Sequence, residues 1–145
     1  MKNSSVVLVS SQSSSKILKE CFESLINLAE HELWVSVEFI HGFDSFWVPT
    51  PKEELSALSD IGIIDIGDDQ EMIHKIGSLA HEIGHVLHDQ SRLLSPVQET
   101  MFSETIAWIL GYNWCLDRGV EIEKNEYQAQ MLEALMLYKR ELEWI

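Results

Sequence analysis

The stretch LAHEIGHVLH, Leu79 to His88, gathers three histidines and one glutamate into ten residues of a chain that has six histidines in all. His81 and His85 stand four apart, one helical turn, so both imidazoles reach a single ion from one side. Glu82 lies beside the first of them. This is the H-E-x-x-H pattern, in which two histidines hold zinc and the glutamate serves as general base toward a zinc-activated water. The plainer reading is an exposed histidine-rich helix face, since His74, His81, His85 and His88 share one stripe. Context argues against it: Ile83 turns the motif toward a core, and Gly84 admits close approach of a neighbouring element.

Two histidines leave zinc short of the three protein ligands usual at a catalytic site. His88 is two turns from His81, about 10 Å along the axis, too far to share the ion, and reads as a polar rim residue. Position 91 is serine, which rules out the longer H-E-x-x-H-x-x-G-x-x-H arrangement. The better candidates for a third ligand are carboxylates in the segment QETMFSETIAW, Glu99 and Glu104. On a helix a spacing of five points them in different directions, so one of them faces the histidines. Glu104 is the choice, because Ala107 and Gly111 follow it at i+3 and i+7 and let its helix lie close to the histidine helix. Glu99, near a helix start, reads as a favourable N-terminal charge.

Apolar periodicity supplies the elements that must position these groups. Ile17, Leu18, Cys21, Phe22, Leu25, Ile26 and Leu28 recur at helical spacing up to about Glu30. LWVSVEFI and FWV, separated by the turn-like HGFDS, suggest a hairpin, and IGIIDIG, Ile61 to Gly67, a further strand. Asp68 and Glu71 have the spacing of a capping box at the start of the histidine helix, whose core face carries Ile73, Ile76, Ala80, Ile83 and Leu87. A third helix is expected from near Pro96 through Ile106, Ile109 and Leu110 to a glycine cap at Gly119. A last helix, from about Asn125, carries Tyr127, Met131, Leu135, Tyr138 and Leu142. The order is an N-terminal helix, a small two- to three-stranded sheet, the H-E-x-x-H helix and two further helices, an α+β layout. Residues 1–15 hold the serine-rich SSQSSS and read as a loop or a flexible N-terminal lead; residues 16–145 read as a single domain.

Twenty-four acidic residues against ten basic ones give a net charge of −14, a field that repels phosphate backbones and anionic lipid. Neither nucleic acid nor a membrane is an expected partner. Eleven acids against Lys75 and Arg92 place −9 of that charge between Glu53 and Glu104, around the histidines. Cys21 and Cys115 are far apart and read as reduced thiols. The apolar run Val6 to Val9 is too short for a signal peptide, and no stretch is long enough to span a bilayer, so a cytoplasmic protein is expected. Most of the five tryptophans read as core, while Trp47, beside the prolines, is a candidate for a cleft wall.

His81, Glu82 and His85, with Glu104 on the next helix, resemble the gluzincin class of zinc metallopeptidases. The stretch IIDIGDDQEMIHKIGSLAHEIGHVLH, a strand running into the motif helix, resembles the small ImmA/IrrE-like peptidases and related phage-encoded zincins, as does E-x-x-A-W, Glu104 to Trp108. The resemblance covers residues 61 to about 119. The chain has E-T-I-A-W-I where the ImmA/IrrE group has E-A-N-x-F-A, so it is nearer to the class than to that group. The resemblance implies one zinc ion on His81, His85 and Glu104, with Glu82 as general base in peptide hydrolysis. It implies a protein or peptide substrate paired along the strand Ile61 to Ile66, with Ile64 and Tyr112 as candidate substrate contacts. An oxyanion donor would come from His74, Tyr112 or Tyr127, and Asp89 would either orient His85 or face water. The alternatives are an acidic interaction protein of the DNA-mimic or inhibitor kind, with a non-catalytic metal, and a peptidase held by a regulatory protein partner.

Overall fold

Ser14 accepts a hydrogen bond from the Ile17 N–H at 3.2 Å, which caps the first helix, α1 (Ser15–Leu33). Trp34 ends it in the left-handed conformation, φ 58°, and turns the chain into β2 (Val35–Ile40). The computed structural model describes residues 6–56, 60–90 and 101–143. The short strand β1 (Val7–Val9) precedes α1. The chain then continues through β3 (Phe46–Pro49), β4 (Gly62–Gly67), α2 (Met72–Gln90), α3 (Met101–Asp117), β5 (Val120–Ile122) and α4 (Lys124–Glu143). The layout is α+β, with four helices and two small sheets among the described residues. No helix of these residues is long and apolar enough to cross a membrane.

The serine-rich segment is a loop, one of its two expected forms, hydrogen-bonded to its surroundings. Val7–Val9 pairs in parallel with β5, and Ser10 to Ser13 form a hydrogen-bonded turn into α1. Glu126 of α4 accepts from the Ser11 N–H at 2.8 Å and so ties this turn to the far end of the chain. Three apolar residues are a weak strand signal alone; their partner lies more than a hundred residues away, where local periodicity does not reach.

The expected hairpin is replaced by a different sheet. β4 takes the centre, parallel to β2 (Val35↔Gly62 to Ile40↔Gly67) and antiparallel to β3 (Phe46↔Asp65 to Pro49↔Gly62). Burial decides the order. Ile64 and Ile66 are wholly buried, whereas β2 exposes Glu38 and Phe39, and β3 exposes Phe46 and Val48. The most apolar strand occupies the position covered on both edges. Instead of closing a hairpin, the 41–45 loop is pinned to the turn after β4: Asp69 accepts from the Gly42 N–H at 2.7 Å, and Asp68 N–H donates to the Ile40 carbonyl at 2.7 Å.

Asp68 and Glu71 therefore do not form the expected capping box. α2 begins at Met72, with Lys75 N–H donating to the Glu71 carbonyl, while the Asp68 side chain pairs with Lys75 Nζ at 2.7 Å. Pro96 lies outside the described residues. At the other end of α3 the expected glycine cap is present: Gly119 has φ 86° and donates to the Leu116 carbonyl at 3.0 Å. The buried face of α3 is Ser103, Ala107, Trp108, Gly111, Trp114 and Cys115, while Ile109 is exposed. Small residues alternating with tryptophan allow α3 to lie against α2 without a layer of aliphatic side chains between them. The core gathers around α2, where Ile76, Leu79, Ala80, Ile83 and Val86 are wholly buried.

Candidate metal centre

Two backbone contacts set the distance between α2 and α3. A Cβ built on Gly84 would lie 1.7 Å from the Ala107 carbonyl oxygen, and one built on Gly111 would lie 1.7 Å from that of Ala80. Each helix thus offers a glycine to the backbone of the other. Glu104, one turn before Ala107 and Trp108, is carried by this contact onto the face of α2 that bears His81 and His85. Its Oε2 lies 2.9 Å from His81 Nε2 and 2.8 Å from His85 Nε2.

Two imidazole nitrogens and one carboxylate oxygen, all within 4.8 Å of one another, form a group able to hold a metal ion. Bonds of about 2.0–2.2 Å place neighbouring ligands of a tetrahedral ion about 3.3 Å apart, within reach of small side-chain rotations from this arrangement. The set is borderline-soft nitrogen plus hard oxygen, suited to a first-row divalent cation. Its open side faces a cleft of about 360 Å³ lined by Asp44 to Trp47, by His81, Glu82 and His85, by Glu104 and Trp108, and by α4. Glu82 reaches this cleft although only 3 % of it is exposed, and its Oε2 lies 3.3 Å from His81 Nδ1.

Burial by itself would discharge the histidines, but carboxylates on both sides outweigh it. His81 is driven up from 6.5 to about 9 by Glu82 and Glu104, and His85 is raised by the same two groups. Burial would also raise Glu104, yet hydrogen bonds from His81 and His85 bring it down from 4.5 to about 2. In the metal-free protein the His81 contribution to stability is complete below its unfolded value of 6.5 and is lost as pH rises through about 9. The Glu104 contribution is complete above 4.5 and is lost as pH falls through about 2. The cluster therefore supports the metal-free fold most between these unfolded values. Thermal melts of chelator-treated protein should show the melting temperature falling from pH 6.5 to 9, and Glu104→Gln should flatten that fall. Equal slopes in the two proteins would contradict the assignment.

The structure brings His81, Glu82, His85 and Glu104 together and rearranges most of the supporting candidates. Ile64 is 0 % exposed and part of the core, and β4 is hydrogen-bonded along both edges, so neither its side chain nor its backbone is open to a peptide. The strand at the cleft is β3, whose outer edge has no strand partner among the described residues. Tyr112 does not line this cleft; its hydroxyl faces Glu121 at 3.5 Å and its ring packs on Tyr127. Tyr127 is buried and donates its hydroxyl to the Trp108 carbonyl. His74 is exposed, in an extension of the cleft along α2 and α4. Asp89, partly exposed at the end of α2, accepts the indole N–H of Trp47 and so fastens β3 to that helix. Trp47 does line the cleft. His88 is half-buried and outside the ligand set, and Glu99 lies outside the described residues.

Trp108, read from sequence as core, is 3 % exposed but stacks on the His81 ring, with centroids 4.1 Å apart and planes 7° from parallel. The signal was its place one turn after Glu104, on the same face of one helix. Compared with protein-family models, curated proteins and solved structures, the chain matches none of them.

Proposed function

We propose that this chain is a zinc-dependent metallopeptidase of the gluzincin kind, acting on a protein or peptide substrate. The observation that carries the reading is the placement of Glu82, a buried carboxylate open to the same cleft as the converging His81, His85 and Glu104. A structural metal site has no use for a second, non-ligating acid lining the same cleft. Zinc held by the three ligands supplies Lewis acidity, which makes water a nucleophile at neutral pH and polarises a carbonyl. Glu82 takes the proton of the attacking water and returns it to the leaving amine.

The cleft suits an extended chain. The free edge of β3 offers backbone hydrogen bonds to a peptide laid along it, and Phe46 and Trp47 face Leu135, Leu137 and Tyr138 across the cleft as apolar walls. Toward the start of α2 the walls carry Asp44, Asp69, Glu71 and Glu133 and, among the described residues, no lysine or arginine, an environment that favours substrates with cationic side chains.

Elemental analysis of protein purified without chelator tests the reading. One equivalent of zinc is expected in the wild type and in Glu82→Gln, with a clear loss in Glu104→Ala, which leaves two ligands. A wild type free of zinc, and unable to take it up, would sink the proposal and favour the acidic interaction protein.

A further inference from the structure

We infer that Trp108 is a positioning residue of the metal centre, a flat plate that fixes the plane of the His81 imidazole so that Nε2 points at the ion. The inference rests on the metal site proposed above. A histidine ring turns broadly about its second side-chain torsion, so the helix places its Cβ but does not set the plane of the ring. Something in contact must do so. The Trp108 indole lies 4.1 Å from the His81 ring and 7° from parallel, a full face contact. The His85 ring, centroid 4.6 Å away, is tilted by 58° and cannot serve as a second plate.

The plate is itself held. The Tyr127 hydroxyl donates to the Trp108 carbonyl, and the Tyr127 ring meets the indole edge-on, 5.2 Å away at 72°. α4 thus braces the ring that braces the ligand. One helix delivers two parts of the site: Glu104 as a ligand and, one turn later, Trp108 as the plate. With its plane fixed, His81 presents Nε2 toward Glu104 at 2.9 Å and Nδ1 toward Glu82 at 3.3 Å. A metal-bound imidazole is also electron-poor, and the electron-rich indole face is the best aromatic partner for such a ring. Trp114, similarly enclosed on the same helix, meets Arg118 instead of any candidate ligand and provides the comparison for a tryptophan away from the site.

The test has two arms. In metal-free wild type, proton–carbon NMR of the histidine rings should place the His81 ring protons upfield of those of the other histidines, because they lie over the indole face. Ordinary His81 shifts would overturn the inference, whether or not any variant folds. In zinc titrations against a competing chelator, Trp108→Met should bind about 10- to 100-fold more weakly, the usual loss when support behind a ligand is removed. Trp108→Phe, which keeps a flat ring, should recover most of that loss, and Trp114→Phe should bind as the wild type does. Wild-type affinity in a folded Trp108→Met would overturn the inference. A wild type that binds no zinc would overturn the peptidase reading and this inference together, whereas one that binds zinc with ordinary His81 shifts would overturn the inference alone.

Discussion

Glu82→Gln should keep its zinc and its fold while peptide hydrolysis falls by about 10²- to 10⁴-fold, the range for loss of a positioned general base. The change is close to isosteric at a site where only 3 % of the residue is exposed, so the α2 packing is undisturbed. The glutamine carbonyl can still accept from His81 Nδ1, 3.3 Å away in the wild type, so the orientation of that ligand survives. What glutamine lacks is the ability to take a proton and give it back. The neutral amide removes a desolvation cost but also the charge that helps hold His81 protonated, two opposed effects, so the melting temperature should change little. The assay is cleavage of a denatured protein mixture rich in lysine and arginine, with zinc content measured on the same samples. Equal cleavage by wild type and Glu82→Gln would remove Glu82 from the chemistry. Cleavage by neither, with zinc bound in both, would favour a non-catalytic metal on an acidic interaction protein.

The candidate ligand set was legible in the sequence because it is mostly local. His81 and His85 are fixed by helical spacing alone, and Glu104 was separated from Glu99 by the small residues at Ala107 and Gly111, where the backbones of α2 and α3 leave no room for an added methyl or lie against a glycine of the other helix. Gly119 was legible for the same reason: a helix end and its positive φ are decided within a few residues. The sheet was not. Local adjacency suggested that β2 and β3 form a hairpin, whereas the arrangement depends on β4, which burial draws between them. That one change removed Ile64 from the candidate substrate contacts and put β3 at the cleft. The contacts of Asp89 and Tyr112 were illegible for the same reason. Their partners, Trp47 and Glu121, lie on strands whose positions follow from tertiary pairing, and no spacing within a helix announces them.

The largest loss of stability is expected from Gly111→Ala, although the same change in an exposed helix interior normally stabilises by about 1 kcal/mol. The sign reverses because of what the methyl would meet. A Cβ at position 111 would fall 1.7 Å from the Ala80 carbonyl oxygen and 2.5 Å from its carbon, and these backbone atoms belong to the turn that leads into His81. No rotamer relieves that contact, so the helices must separate. Overpacking of this kind costs about 1–3 kcal/mol and occasionally more, against a total stability on the order of 5–15 kcal/mol for a domain. Separation also draws Glu104 away from both histidines, so weaker zinc binding should accompany the lower melting temperature. Gly77→Ala separates this account from general intolerance of substitution in α2. There the nearest atom, at 2.0 Å, is the Gln130 side-chain oxygen, which can swing away, and both stability and zinc affinity should change little. Excess zinc should partly restore the melting temperature of Gly111→Ala, since an ion that binds only the closed helix pair pulls the equilibrium toward it. A Gly111→Ala protein that melts and binds zinc like the wild type would show that the close contact of α2 and α3 does not set the geometry of the site.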